Sequence, residues 1–433
     1  MTRTEELFLY RKFEDAGLFE NMIWIMENVK YAQEDDQGTA VLRSMYFETL
    51  GALVEMAGTY GFEGNLWHNY LTYLLVNHEN VYSTSCEIVG EVEGSLNQIA
   101  LHDFEIFREL FAYDFTQLEN HIGVHQFALV ADYHNGNRDS RIFNRRIRDR
   151  ICALTKALEQ AESAEEFMRE MQCFYREFGV GKLGLHKAFR VEHGEKGVQI
   201  VPVKNIAHVR LDDLVGYEIA KKKLIDNTEA FVNGKRANNC LLFGDAGTGK
   251  SSSIKGILNQ YYDRGLRIIE VYKHQFQDLN EVIAQIKNRN YKFIIYMDDL
   301  SFEDFEIEYK YLKAVIEGGL EKKPDNILIY ATSNRRHLVR EKFSDKEERR
   351  DDLHSSDTVQ EKLSLVNRFG VQIFFCAPDK KEFQNIVRTL AKRYQVNLPE
   401  EELLLEANKW ELSHGGLSGR TAQQFIDYLL GKK

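Results

Sequence analysis

Lys250 and Ser251 close a stretch, NCLLFGDAGTGKSS over residues 239–252, whose spacing fits phosphate chemistry. Gly244 is followed by four residues and then by Gly249, Lys250 and Ser251, the G-x-x-x-x-G-K-[ST] pattern of a phosphate-binding loop. Gly244, Gly247 and Gly249 open backbone conformations closed to other residues. The N–H groups along Gly244, Asp245, Ala246, Gly247, Thr248, Gly249, Lys250, Ser251 and Ser252 can therefore turn inward around a diphosphate. A helix starting near Lys250 adds its positive N-terminus. Lys250 would reach the β- and γ-phosphates, and the Ser251 hydroxyl would coordinate Mg²⁺. A nucleotide with Mg²⁺ is the ligand this pattern calls for.

Phosphoryl transfer needs more than a loop: a metal ligand, a group that orients water, and cations for the transition state. FIIYMDD, residues 293–299, is an apolar strand ending in two acids. Asp298 is placed to hold Mg²⁺ through water as a Walker B aspartate does, and Asp299 stands where a water-polarising glutamate is usual. ILIYATSN ends in Asn334, whose amide can touch both a γ-phosphate and an attacking water, although an asparagine after a strand is more often a turn residue. Arg368, in SLVNRFG, and Arg420, in GGLSGRTAQQF, are cations positioned before a strand and at the start of a helix. A surface salt bridge is the plain alternative for each arginine.

These residues need strands and helices in alternation to bring them together. From Asn239 onward the pattern supplies them, with strands expected at Cys240–Phe243, Arg267–Tyr272, Phe293–Met297, Ile327–Thr332 and Val371–Cys376. Helices are expected between them near Ser251–Tyr262, Leu279–Lys287, Glu308–Leu320 and Val359–Asn367. The mixed charge run Glu341–Asp352 reads as a loop or a solvated helix. Three more helices follow Pro378. Upstream, residues 1–180 read as helical, with no proline before Pro202 and an apolar stripe along Ala40–Tyr60. Ala188–Glu192 and Val198–Val203 flank HGEKG as a small hairpin. The expected organisation is a helical N-terminal domain (1–180), a connector with that hairpin (181–210), an α/β core (211–378) and a helical lid (379–433).

The ordered set from Gly244 to Arg420 resembles the AAA+ ATPase superfamily over about residues 205–433. The strings LDDLVGYE, ANNCLLFGDAGTGKSS, MDDLSFE, KAVIEGGLE, DNILIYATSNRRHLV and NRFG resemble the bacterial ATP-binding proteins of domain-of-unknown-function family 815, as does CEIVGEVEGSLNQIALHDFEIFRELF from Cys86. The resemblance implies an α/β P-loop fold with a five-stranded parallel sheet in the order 5-1-4-3-2, a helical lid from about Asp379, and adenine near Leu214–Tyr217, with Val215 and Gly216 in contact. It makes Asn334 a sensor 1 residue, Arg368 an arginine finger acting in trans within a homo-oligomer, and Arg420 a sensor 2 residue. One departure is Asp299 in place of glutamate. Misplacing a water-orienting group by about 1 Å can cost on the order of a hundredfold in rate, so slow turnover is expected. Glu303 or Asp304 is placed to compensate.

Composition narrows the rest. The apolar runs are far too short for a membrane span. The N-terminus is too charged for a secretory signal, and five scattered cysteines read as thiols of a reducing compartment, so a cytoplasmic protein is expected. The net charge is −11 and sits unevenly: residues 1–130 hold 21 acids against 6 bases. Such a surface disfavours nucleic acid, although the arginines of RDSRIFNRRIRDR leave a local phosphate contact open. His121 and His125, at i, i+4, lack an evident third metal ligand. A protein partner of unknown identity is expected. The leading reading is an ATP-hydrolysing protein that couples nucleotide state to assembly or partner remodelling; the rival is an ATP-gated switch or scaffold that seldom hydrolyses. A kinase would need a substrate base and an arginine-rich closing lid, and neither is evident.

Overall fold

The structure, a computed structural model, describes residues 2–14, 16–30, 36–136, 145–194, 197–203, 206–302, 306–317, 324–334, 338 and 365–432. The chain divides into two compact units, Met1–His186 and Lys187–Lys433.

The first unit is helical, built from Gly17–Asn28, Asp36–Tyr60, Leu66–Asn77, Val81–Val89, Ser95–Phe111, Phe115–Ile122, Arg145–Gln160, Ala164–Phe178 and shorter turns. Side chains at the helix starts define several boundaries. Asn65, Asp114 and Ser163 each accept a bond from a first-turn N–H, and Asn80 and Ser83 form a reciprocal capping box. The unit's core is rich in aromatic residues: Tyr70, Phe104, Phe107 and Phe111 are buried with Trp67 and Phe167, and Tyr73 packs partly buried against them.

Among the described residues this unit buries three acids, Glu87, Asp103 and Glu119, of which Asp103 is fully enclosed. The fully buried Asp103 carboxylate accepts the backbone N–H groups of Phe8 (3.0 Å), Leu9 (2.7 Å) and Tyr10 (3.1 Å), pinning an N-terminal segment that has no ladder of its own. Tyr10 continues the network through its hydroxyl to Tyr175 at 2.9 Å, and Tyr175 donates to the Leu75 carbonyl at 2.8 Å.

The second unit is organised by one sheet. Its strands are β1 (Ala188–Gly194), β2 (Gly197–Pro202), β3 (Cys240–Gly244), β4 (Leu266–Glu270), β5 (Lys292–Met297), β6 (Ile327–Ser333) and β7 (Val371–Phe375). Runs such as Phe293–Met297 and Ile327–Ser333 are buried along their whole length, as parallel strands covered on both faces must be. The order is β2-β1-β4-β5-β6-β3-β7. This corrects the expectation of a five-stranded, wholly parallel sheet. The hairpin is not a detached connector: β1 pairs parallel to β4, with Ala188 opposite Ile268, and β2 adds an antiparallel edge.

Helices Glu218–Val232, Lys250–Tyr261, Leu279–Ile286 and Glu308–Glu317 connect the strands. Of the helix expected over Val359–Asn367 only residues 365–367 are described, and the charge run Glu341–Asp352 lies outside the described residues. After β7 come Lys380–Arg393, Glu400–Ser413 and Gly419–Gly431, with their own core of Phe383, Leu390, Ala407, Phe425 and Ile426. Asp379 with Glu382 boxes the first of these, and Ser418 caps the last. Among the described residues no helix is long and apolar enough to cross a membrane.

The Asp103 bonds generate a test. Asp103→Ala strands three N–H groups, two of them only part-buried, and should destabilise the full-length chain by about 2–4 kcal/mol. Asp103→Asn, which keeps one acceptor oxygen, should lose clearly less, as read from urea unfolding.

Candidate nucleotide-binding site

The phosphate loop leaves β3 under a tight constraint. Gly244 has φ 133°, and a Cβ there would fall 2.0 Å from the Phe375 carbonyl oxygen of β7, so only glycine lets the two strands pair to their ends. The loop then passes through Gly247 (φ 76°) and Gly249 (φ 91°) into helix Lys250–Tyr261. Asp245 N–H donates to Phe375 O at 3.1 Å, while the Asp245 carboxylate accepts Ala377 N–H at 2.8 Å.

A second helix start faces the same loop. Arg420 N–H donates to Gly247 O at 3.2 Å, and a Cβ on Gly247 would meet Arg420 Cβ at 3.0 Å and Ser418 Oγ at 3.1 Å. Two helix N-termini, each carrying partial positive charge, thus converge at the loop.

Between them lies a cleft of about 640 Å³. Ala246, Gly247, Thr248, Gly249, Lys250, Ser251 and Ser252 line it, together with Asp298, Asp299, Asn334 and Arg420. Val215 lines it too, beside Leu214, Tyr217, Ile386 and Leu390, which give it an apolar end. Gly216 (φ 84°) instead lines a neighbouring cavity of about 630 Å³ that shares Val215, Tyr217 and Ile386. Gly244, Asp245 and Arg368 are not among the lining residues. Arg368 is half-buried just ahead of β7. Glu303 and Asp304, expected to assist Asp299, lie outside the described residues.

The polar groups are already engaged with one another. Lys250 Nζ donates to Gly244 O (2.8 Å), Asp245 O (2.7 Å) and Asn334 Oδ1 (3.0 Å), using all three of its protons. Burial lowers its pKa, while Asp245, Asp299 and Asp298 pull the other way. Asn334 Nδ2 donates to Asp299 Oδ1 at 2.7 Å, so one amide joins the lysine to the second acid. Asp299 sits in the left-handed region at φ 48°, which Asp tolerates better than most residues.

Asp298 is exposed as a residue, yet its Oδ1 is crowded. Thr332 Oγ1 (2.5 Å), Tyr296 Oη (2.6 Å) and Ser251 Oγ (2.7 Å) all donate to it. Desolvation alone would raise this carboxyl's pKa; the bonds from Thr332, Tyr296 and Ser251 outweigh it and hold the group below its ordinary value. Burial pushes the Tyr296 phenol well above the usual tyrosine range, so it stays a donor. The Ser251 hydroxyl and an ionised Asp298 form the hard oxygen pair that Mg²⁺ prefers, so these two residues fit a divalent cation.

Tyr296 and Thr332 were not anticipated as site residues. Their signal was present: each stands two residues before a singled-out position, Asp298 and Asn334, and a strand returns to the same face every second residue.

A phosphate-loop pattern leaving β3, acids at the tip of β5, an amide after β6 and a three-helix segment after β7 stand together in one unit of the fold. The chain belongs to the family described as "Protein of unknown function (DUF815)", whose model matches residues 184–433. Among solved structures, the RuvB Holliday junction branch migration motor of Thermotoga maritima aligns with 51% of this chain and 71% of its own, at 14% identity and a TM-score of 0.32. A point mutant of the same RuvB aligns with 52% and 73%, at 14% identity and a TM-score of 0.33. No curated protein matches the chain significantly.

The contact between Gly247 and the lid yields a further test. Gly247→Ala puts a Cβ against Arg420 and Ser418 and forces alanine into left-handed backbone at about 1–2 kcal/mol. The strain is borne by the folded chain itself, so the melting temperature should drop by about 2–4 °C and affinity for ATP should fall with it, as measured with thermal denaturation and a fluorescent nucleotide analogue.

Proposed function

We propose that this protein binds ATP with Mg²⁺ in the cleft between the phosphate loop and the lid, hydrolyses it slowly, and couples nucleotide state to assembly or to remodelling of a partner. The observation that carries this reading is the convergence of Lys250, Ser251, Asp298, Asp299, Asn334 and Arg420 on one cleft bounded by two helix N-termini.

Each group has a task in that reading. Lys250 exchanges its own loop carbonyls for the β- and γ-phosphate oxygens. Ser251 and Asp298 hold the cation, which supplies charge neutralisation at the phosphates. Asn334 and Asp299 orient the attacking water, and Arg420 brings the lid's charge to the γ-phosphate. The apolar end, with Leu214, Val215, Tyr217 and Ile386, suits an adenine ring. Arg368, which does not line its own cleft, is assigned to the site of a neighbouring copy in a homo-oligomer. The acidic excess in residues 1–130 favours a protein partner over nucleic acid, and a cytoplasmic location accords with the cysteine pattern.

One observation favours a second reading, an ATP-gated switch or scaffold. The short Asp299 side chain is held by Asn334 at 2.7 Å, leaving less reach toward a water than glutamate would have. Turnover near or below about 1 s⁻¹, the low end for enzymes, is expected; turnover at the level of fast molecular motors would contradict it.

Steady-state ATP turnover against protein concentration separates the readings. Specific activity should rise with concentration, Lys250→Ala should lose nucleotide affinity, and Arg368→Ala should keep affinity while losing about a thousandfold in turnover. Tight ATP binding with wild-type turnover no faster than that of Lys250→Ala would establish the switch instead.

A further inference from the structure

Three hydroxyls converge on one oxygen of Asp298, and they are not equivalent. A carboxylate oxygen offers about two lone-pair sites, so three donors at 2.5, 2.6 and 2.7 Å crowd it. Ser251 belongs to the phosphate-loop helix and is half-buried. Tyr296 and Thr332 belong to the interior strands β5 and β6 and are 5% and 1% exposed. Ser251 is therefore the donor free to leave when a cation takes its hydroxyl, and the two strand residues stay.

Thr332 does a second thing. Its oxygen accepts the Asp299 N–H at 3.0 Å while its proton goes to Asp298, so one hydroxyl fixes the backbone of the second acid and the side chain of the first. Tyr296 has a different geometry, reaching along its own strand from two residues upstream. Both bonds aim the carboxylate at the Ser251 hydroxyl.

We propose that Tyr296 and Thr332 are positioning residues that preorient Asp298 for the divalent cation and thereby set the Mg²⁺ requirement of nucleotide binding. This rests on the reading of the cleft as an ATP site. Groups that orient a metal-binding carboxylate without touching the metal typically contribute about 10–100-fold in metal affinity. A purely structural role would instead weaken nucleotide binding with or without the cation.

The test is equilibrium binding of a fluorescent ATP analogue to the full-length chain, in EDTA and across a Mg²⁺ series. Wild type is compared with Tyr296→Phe, Thr332→Val and Thr332→Ser. The Mg²⁺ concentration at half effect should rise about tenfold in Tyr296→Phe and Thr332→Val, with Thr332→Ser close to wild type and affinity in EDTA unchanged throughout. Equal losses in EDTA and in Mg²⁺, or an unshifted Mg²⁺ midpoint in a folded Tyr296→Phe, would overturn the proposal and leave the nucleotide site standing. A wild-type chain that binds no analogue under either condition would overturn both. Should Thr332→Val fail to fold, Tyr296→Phe, which removes one oxygen from a ring that stays packed, decides alone.

Discussion

The Oδ1 atom of Asp298 is where three parts of the second unit meet. Thr332 brings β6 to it, Tyr296 brings β5, and Ser251 brings the phosphate-loop helix. An ionised oxygen accepting short hydroxyl bonds is among the stronger non-covalent anchors a chain can make. Its position follows from the sheet: β5 pairs with β6, β6 with β3, and β3 launches the loop, so the acid and the loop stand at one edge two strands apart. A register slip of one residue in β5 would turn Asp298 to the opposite face and dissolve the arrangement.

The loop itself depends on a contact of a different kind. Gly244 must pair with Phe375 to the last residue of β7, and the Asp245 carboxylate then accepts Ala377 N–H. Both steps tie the start of the loop to the segment leading into the lid. The lid's last helix returns to the same loop through Arg420 N–H and Gly247 O. A phosphate entering between these two helix starts would lie close to the partial positive charge of each. The loop is thus tied to the lid segment at two points.

Much of this was legible in the sequence for identifiable reasons. The loop is marked by glycines at positions whose φ values no other residue adopts cheaply, and the central strands are uninterrupted apolar runs with no helical period. The helix Val81–Val89 fell within the general helical reading of residues 1–180 but was not singled out as an element. Its VYSTSCEIV composition is poor in strong helix formers, and the helix owes its place to the Asn80–Ser83 box and the burial of Tyr82 and Cys86. The extra strands were read as a hairpin but not as part of the sheet. The pairing of Ala188 with Ile268 joins residues far apart in the chain, and no local pattern encodes a partner at that distance. Asp245 lay within the loop pattern, yet its side chain turns toward Ala377, a preference set by the close approach of β7.

The amide of Asn334 links the two halves of the chemistry. Its oxygen accepts from Lys250 and its nitrogen donates to Asp299, so the cation of the loop and the second acid are held at the two ends of one planar group. A phosphate that draws Lys250 away removes one of those holds, and the amide is then free to rotate with Asp299 still attached. Asp299 is constrained from behind, since its N–H is bonded to Thr332 and its φ is left-handed. Any reorientation must therefore come from the side chain alone, across a short arm. Under the proposed reading of the cleft, this short arm is the feature that would favour registering a γ-phosphate over rapid attack on it.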